Sequence, residues 1–145
     1  MTTWREVYVD IIDAIKSKIS QLTDDQGSAL FDAVYVGFSA APKQYPCCFI
    51  LPDRVRPSPA APESTVYDIG IEIRVISRSP SSEAGMKDVV YRLGKVEDTL
   101  IDDRTLNGLV DNLEITEIRP TVTVRITRER HEGSLLVSLR KLIRR

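Results

Sequence analysis

Residues 67–77 have the sequence YDIGIEIRVIS, and this stretch decides the fold. Isoleucine or valine recurs at every second position, with charged side chains between. A period of two is typical of a strand that buries one face and turns the other toward solvent or a partner. The buried face is predicted to hold Ile69, Ile71, Ile73 and Val75, and the polar face Asp68, Glu72 and Arg74. We therefore expect this segment to be the central strand of the protein.

A helix is predicted directly after this strand. Residues 79–83 (SPSSE) end the strand, because proline cannot donate to a β-ladder, and they supply serine N-caps with an acidic first turn. Apolar residues then recur at three-to-four spacing: Met86, Val89, Val90, Leu93, Val96, Leu100 and Ile101. The spacing predicts one helix whose apolar stripe packs on the strand.

The first residues predict a second helix. Thr3 and Glu6 have the spacing of a capping box, in which each side chain satisfies the backbone amide of the other residue. The apolar stripe that follows consists of Val7, Ile11, Ile15, Ile19 and Leu22. We expect this helix to lie on the same sheet as the other one.

Five further strands are predicted from short apolar or alternating runs: 34–38, 45–52, 113–118, 122–126 and 135–139. The run at 45–52 is apolar throughout and indicates a strand buried on both faces, whereas 113–118 indicates a bulge near its end. Residues 128–133 are expected to form a charged hairpin tip. The order αβββαβββ predicts an α+β fold, with two helices on a mostly antiparallel sheet, and 145 residues favour one domain over 1–145.

Residues 53–64 contain three prolines and few large apolar side chains, so they are not expected in the core. They form either a disordered linker or the extended arm of a long hairpin that gains order from a partner. Arg54 and Arg56 project from the base of this predicted assembly arm.

Composition narrows the class of protein. Hydrophobic residues make up 42% of the chain and charged residues 28%, and no apolar run approaches the roughly 18 residues of a membrane span. The first residues lack the pattern of a signal peptide, so a cytoplasmic location is the default expectation. Cys47 and Cys48 are adjacent and should point to opposite faces of a strand as small apolar residues.

The sequence offers few parts for catalysis, and we expect no enzyme, no cofactor and no metal site. The single histidine, His131, falls in a segment rich in Arg and Glu, where solvation is the expected environment. The seven glycines are dispersed and form no phosphate-binding loop.

The end of the chain is basic. The predicted basic surface consists of Arg125, Arg128, Arg130, Arg140, Arg144 and Arg145. Such a surface could face phosphate, an acidic protein or water. Aromatic residues are absent from this region, so it lacks a platform for stacking the bases of a single strand.

The layout as a whole resembles the tail-terminator, or tail-completion, proteins of long-tailed phages and proviruses. The resemblance is carried by the order of the elements and by short phrases spread along the chain. These phrases are a strand that ends at Ala41-Pro42, the Tyr45-Pro46 opening, the proline-rich stretch at 53–64, the SPSSE helix start, the DRTLNGLV turn at 103–110 and the closing hairpin.

The resemblance implies a viral structural protein of the phage tail that forms a ring, a hexamer, on the end of the tail tube. Its implied partners are further copies of itself, the tail-tube protein and the head-side connector, with non-specific passage of DNA through the ring. It implies assembly in the host cytoplasm and a final place in the virion, with no membrane partner. The alternatives are another neck protein of head–tail joining, or a small α+β module that binds nucleic acid or a ligand.

Overall fold

The computed structural model describes residues 2–37, 42–122 and 129–144. The elements are α1 (Trp4–Ser20), β1 (Ala33–Val36), β2 (Cys47–Ala61), β3 (Ser64–Arg78), α2 (Ser82–Ile101), β4 (Asn112–Arg119) and β5 (Arg130–Arg144). Two helices and one mixed sheet make this an α+β fold, as the sequence predicts. Residues 123–126 of the fifth predicted strand, 122–126, lie outside the described residues.

The strands are ordered β1-β2-β3-β5-β4 across the sheet. β1 runs parallel to β2, and the other three pairings are antiparallel. β3 is the central strand and pairs with β5 along its whole length, from Ser64 opposite Arg144 to Arg78 opposite Arg130. Each of these two strands has 15 residues, which corresponds to about 50 Å.

Both helices pack on one face of the sheet, and the main core lies between them and the strands. The predicted alternation in β3 is confirmed, since Ile69, Ile71, Ile73 and Val75 are fully buried on the helix side. A smaller cluster of Cys47, Phe49 and Ile76 lies on the other face. The helix-free face is otherwise polar along much of its length.

The capping box predicted for α1 is present. The Thr3 hydroxyl accepts a hydrogen bond from the Glu6 amide at 3.4 Å, and the Glu6 carboxylate accepts one from the Thr3 amide at 3.1 Å. Val7, Ile11, Ile15 and Ile19 form the buried stripe of this helix, as predicted, and Leu22 packs against the core as a half-buried residue.

The predicted stripe of α2 is only partly buried. Ser81 caps the helix, and Val89, Leu93, Val96 and Leu100 enter the core. Met86, Val90 and Ile101 are instead 48%, 49% and 37% exposed, which corrects the prediction. Because successive residues turn by about 100°, these three side chains project from the flank of the helix rather than toward the sheet.

β5 is longer than predicted. Residues 130–133 were expected in a charged hairpin tip but belong to the strand, and Glu132 and Gly133 are buried. The reason is the partner strand: β3 offers backbone groups along 15 residues, so pairing continues through the charged segment.

Residues 53–61 continue β2, so the segment between two strands is itself mostly strand. β1 pairs with residues 47–50 of β2, and beyond them β2 is an edge strand among the described residues. Pro52, Pro57 and Pro59 lie on this edge, where a missing amide breaks no ladder. Residues 56–63 are all exposed.

Candidate assembly surface

The sheet narrows toward the turn of the β2–β3 hairpin. β4 pairs with residues 134–140 of β5, so the last residues of β5 have β3 alone as a described partner strand. We call residues 54–61 of β2, 64–70 of β3 and 138–144 of β5 the distal sheet. Within it, residues 54–61 and 64 belong to the stretch 53–64 that sequence analysis predicted as an assembly arm.

Charged residues form a row across the helix-free face of the distal sheet. Arg56 pairs with Asp68, Asp68 with Arg140, and Arg140 with Asn112, so one row crosses four strands. Residues that pair directly share a face, and the neighbouring Ile69 faces the helices. The row therefore points away from the helices.

A groove of about 310 Å³ lies along this row. It is lined by Ser58, Val66, Asp68, Asn112, Glu114, Ser138 and Arg140. The Ser138 hydroxyl donates to the Asp68 carboxylate at 2.5 Å across β3 and β5. The groove is thus polar and carries both signs of charge.

Arg54 occupies the next row, beside Gly70. A Cβ at Gly70 would lie 2.9 Å from Arg54 Cγ and 3.0 Å from Asp53 Oδ2, so the arginine stem lies across the glycine. The guanidinium contacts the Asp53 carboxylate at 3.4 Å. A lone glycine inside a strand pattern is a sequence signal for such a close approach, and sequence analysis missed it.

The predicted basic surface does not form one patch. Arg130 and Arg140 are on the same face of β5 but ten positions apart, which is about 33 Å. Arg130 pairs with Glu132 at 2.6 Å, and the Glu132 side chain is only 7% exposed, so this arginine belongs to a largely buried ion pair. Arg140 and Arg144 are exposed in the distal sheet. Arg125, Arg128 and Arg145 lie outside the described residues.

Acidic residues are interleaved with the distal arginines. Asp53, Asp68 and Glu114 stand among Arg54, Arg56 and Arg140 on this face. Arg56, Arg140 and Arg144 make no ion pair with another described residue. A face of mixed sign with unpaired arginines suits a partner whose charges complement it in a fixed register.

A notch opens on the helix side of the hairpin, at the start of α1. It has a volume of about 390 Å³ and is lined by Trp4, Pro57, Ser58, Pro59, Thr65 and Tyr67. Trp4 is 39% exposed and meets the Tyr8 ring edge-on, with the ring centroids 6.4 Å apart. The Tyr8 hydroxyl donates to the Gly70 carbonyl at 3.4 Å, and burial raises the pKa of this phenol. We call this feature the hairpin notch.

A polar cluster joins α2 to the end of β3. The Asp88 carboxylate accepts hydrogen bonds from the Ser77 hydroxyl at 2.5 Å and from Arg92 Nε at 2.9 Å. The Arg92 guanidinium also donates to the Leu30 carbonyl. These bonds tie α2 to β3 and to the segment before β1, which is a structural role.

His131 is half-buried, which corrects the expectation that it is solvated. It lies in β5 opposite Ser77, and its ring packs against the N-terminal turn of α2. A Cβ at Gly85 would lie only 2.1 Å from the ring, and His131 Nε2 is 3.1 Å from the Ser79 carbonyl oxygen.

The two cysteines behave as predicted. Cys48 belongs to the main core and Cys47 to the cluster on the opposite face, and neither is exposed. Burial raises the pKa of the Cys47 thiol to about 12 and raises that of Cys48 as well. Deprotonation of either thiol is therefore strongly disfavoured.

Within residues 2–37, 42–122 and 129–144, no three His, Cys, Asp or Glu side chains are placed to hold a metal ion. Neither described helix is long and apolar enough to cross a membrane.

Comparison with known proteins assigns no family to the chain. No protein-family model matches it, and no curated protein matches its sequence. A functional interpretation therefore rests on the residues and contacts described above.

Proposed function

We propose that this chain is a structural virion-assembly protein that resembles a tail terminator. Copies of it form a ring of six on the end of the tail tube, stop growth of the tube and meet the head-side connector. The observation that carries the proposal is the distal sheet, which extends beyond β1 and β4 and carries rows of charged side chains on a face without helices.

The length of the strands supports an assembly role. Three strands have 15 residues each, whereas strands in globular domains average about 5–6. Residues 56–63 bury nothing large within their own subunit. An extended, ordered segment with so little burial is expected where a partner supplies the missing contacts.

The charges of the distal sheet support a protein partner over free nucleic acid. Non-specific DNA binding relies on several cations that meet phosphates together. Here Asp68 stands between Arg56 and Arg140, and Glu114 lies beside the same groove. An acidic segment of a neighbouring copy or of the tail-tube protein can pair with the two arginines while Asp68 keeps its bond to Ser138.

A small α+β module that binds a polar ligand is the second candidate. The groove of about 310 Å³ favours it, because the groove combines a hydroxyl, a carboxylate, an amide and a guanidinium. The two candidates differ in the oligomeric state that they require.

Two measurements test the proposal: the mass of the protein in solution, and the effect of removing two arginines of the distal sheet compared with removing two lysines elsewhere. We expect light scattering and native mass spectrometry to give six chains of 16.3 kDa each, and we expect the purified protein to stop polymerisation of tail-tube protein. Arg56→Ser with Arg140→Ser should reduce ring formation or capping at least tenfold, because two unpaired cations of the distal sheet are lost.

The control is Lys16→Ser with Lys43→Ser, which removes the same charge from exposed positions elsewhere. This control should leave the ring and its capping activity intact. A monomer whose mass is unaffected by salt and concentration would contradict the proposed function and favour the ligand-binding module.

A further inference from the structure

The flank of α2 carries large apolar side chains that its own subunit leaves exposed. Met86, Val90 and Ile101 are one to four helical turns apart on one side of the helix. The opposite side faces α1 and its neighbourhood, since Arg92 contacts the Leu30 carbonyl and Lys95 pairs with Asp25 at 2.8 Å. The apolar flank therefore faces away from α1, toward β4.

Ile118 extends this apolar surface onto the edge strand. It pairs with Leu135, a core residue on the helix side of β5, so Ile118 also lies on the helix side of the sheet. Its side chain is 46% exposed. Met86, Val90, Ile101 and Ile118 together are called the α2 flank below.

The hairpin notch is on the opposite side of the subunit. Its residues come from α1, β2 and β3, whereas the α2 flank lies over β4 at the far edge of the sheet. One surface is a concave notch with prolines and an exposed tryptophan, and the other is a ridge of aliphatic side chains. A subunit therefore presents two different apolar surfaces at two opposite edges.

Each surface has an unpaired charge near it, Glu97 for the flank and Arg5 for the notch, and the two charges differ in sign. Glu97 projects from the same side of α2 as Val90, is half-buried, and makes no ion pair with another described residue. Arg5 is exposed next to Trp4 and likewise makes no ion pair within the described chain. A contact of flank against flank would bring two Glu97 carboxylates together, whereas a contact of flank against notch does not.

We propose that the α2 flank of one copy docks into the hairpin notch of the next copy. This inference rests on the proposed ring and names the contact that builds it. Contact between two different patches is heterologous, and repetition of such a contact generates a closed ring when the rotation between copies closes. Trp4 is the expected anchor, because buried tryptophans dominate the energy of interfaces.

Two variants that each damage one surface test the contact. Trp4→Ser damages the notch and Val90→Asp places a charge on the flank, and each variant alone should be monomeric. Loss of the anchor should raise the dissociation constant at least about thirtyfold. Mixed in equal amounts, the two variants retain one intact notch and one intact flank between them. Native mass spectrometry of the mixture should show a heterodimer and nothing larger.

Val36→Asp is the matched control, because Val36 is 48% exposed on β1 and belongs to neither surface. It should assemble like the unmodified chain. Met86→Lys is a second flank variant, used if Val90→Asp does not give a folded circular dichroism spectrum.

The outcomes separate this contact from the proposed function. If the unmodified chain forms a ring and either single variant still does so, or if the mixture yields no dimer, the contact is overturned and the ring stands. If the unmodified chain is a monomer at every concentration, both the ring and this contact are overturned.

Discussion

The N-terminal turn of α2 has a glycine that the helix itself does not need. Gly85 gives the His131 ring room to pack on the helix, since an added Cβ would lie 2.1 Å from that ring. Glycine in a helix interior costs about 0.5–1 kcal/mol relative to alanine. The close packing of His131 therefore outweighs the helix propensity at this one position.

We expect Gly85→Ala to lower the free energy of unfolding by about 1–3 kcal/mol, because the new methyl group overpacks against His131. Chemical denaturation monitored by circular dichroism measures this change. Adding His131→Ala to Gly85→Ala should recover most of the loss, so the two substitutions should be strongly non-additive.

Gly94→Ala is the control in the same helix. Nothing lies within 4 Å of a Cβ at Gly94, so this substitution should raise the free energy of unfolding by about 0.5–1 kcal/mol. Equal effects at the two glycines would show that the contact with His131 does not matter.

At the scale of elements, the β2–β3 hairpin shows that prolines exclude a central strand but not an edge strand. Residues 53–61 pair with β3 in spite of Pro57 and Pro59, because β2 has lost its other neighbour by that point. Residues 53–61 lie at the edge of the sheet because β1 ends before them. The sequence of 53–61 alone does not show where β1 ends. The sequence therefore left a linker as an alternative to the predicted arm.

We expect the turn of the hairpin to be dispensable for folding. Replacement of residues 58–66 by Asn-Gly would join Pro57 and Tyr67, which face each other, through a two-residue turn. None of the nine removed residues is buried, so the free energy of unfolding should fall by only about 1–2 kcal/mol, the scale of a few cross-strand pairs. Assembly should be lost, because part of the distal sheet and of the hairpin notch is removed.

Light scattering and thermal unfolding of this shortened chain measure the two effects separately. Lys16→Ser with Lys43→Ser keeps the full length, lies outside the distal sheet and serves as the control. An insoluble product, or a shortened chain that still assembles fully, would contradict this division between folding and assembly.

Helices and strands with a regular spacing of apolar residues were predictable from the sequence. The contacts that surround them were not. The alternation in β3 and the stripe of α1 predict which of their residues are buried, because one side of each element packs on the core. In α2, burial was predicted wrongly at three positions. An apolar side chain that contacts the sheet and one that stays at the surface, such as Val90, give the same pattern in the sequence.

The candidate surface was less predictable than the elements. Arg56 and Arg140 are 84 positions apart in the chain, and they lie on the two strands that flank β3, where Asp68 pairs with both. Arg130 carried a usable signal: residues two apart share a strand face, so the Arg130-x-Glu132 spacing predicts an ion pair. Glu72 with Arg74 and Glu117 with Arg119 follow the same rule.

At the scale of the whole molecule, two ion pairs hold the helix layer to the loops around it. Lys18 of α1 pairs with Asp103 at 2.9 Å, and Lys95 of α2 pairs with Asp25 at 2.8 Å. The Lys95 ammonium and the Tyr91 hydroxyl lower the pKa of Asp25. The Asn107 amide, and then Lys18, lower the pKa of Asp103.

Because of these two carboxylates, the free energy of unfolding is expected to fall as the pH becomes acidic. Their folded pKa values lie below the ordinary 3.8, so their contribution is present above that value and is lost as the pH falls through the folded pKa. We expect the midpoint of urea unfolding to decline between about pH 5 and about pH 2, and Asp25→Asn with Asp103→Asn to flatten part of that decline.

Asp10→Asn with Asp13→Asn is the control for the same charge change, at exposed residues of α1 without an ion pair to another described residue. It should leave the slope unchanged. The full slope of the unmodified protein in Asp25→Asn with Asp103→Asn would show that Asp25 and Asp103 do not contribute.

The pairing of β3 with β5 also determines when the protein can fold during synthesis. Arg78 and Arg130 are 52 positions apart and Ser64 and Arg144 are 80 apart, so the central strand meets one of its two neighbours only after residues 130–144 have left the ribosome. Until then the helix-side isoleucines of β3 lack the leucines of β5 that complete their core. Pairing over such sequence separations is slow compared with local contacts. Nascent chains therefore complete neither the core nor the distal sheet, and the proposed assembly would begin only from finished subunits.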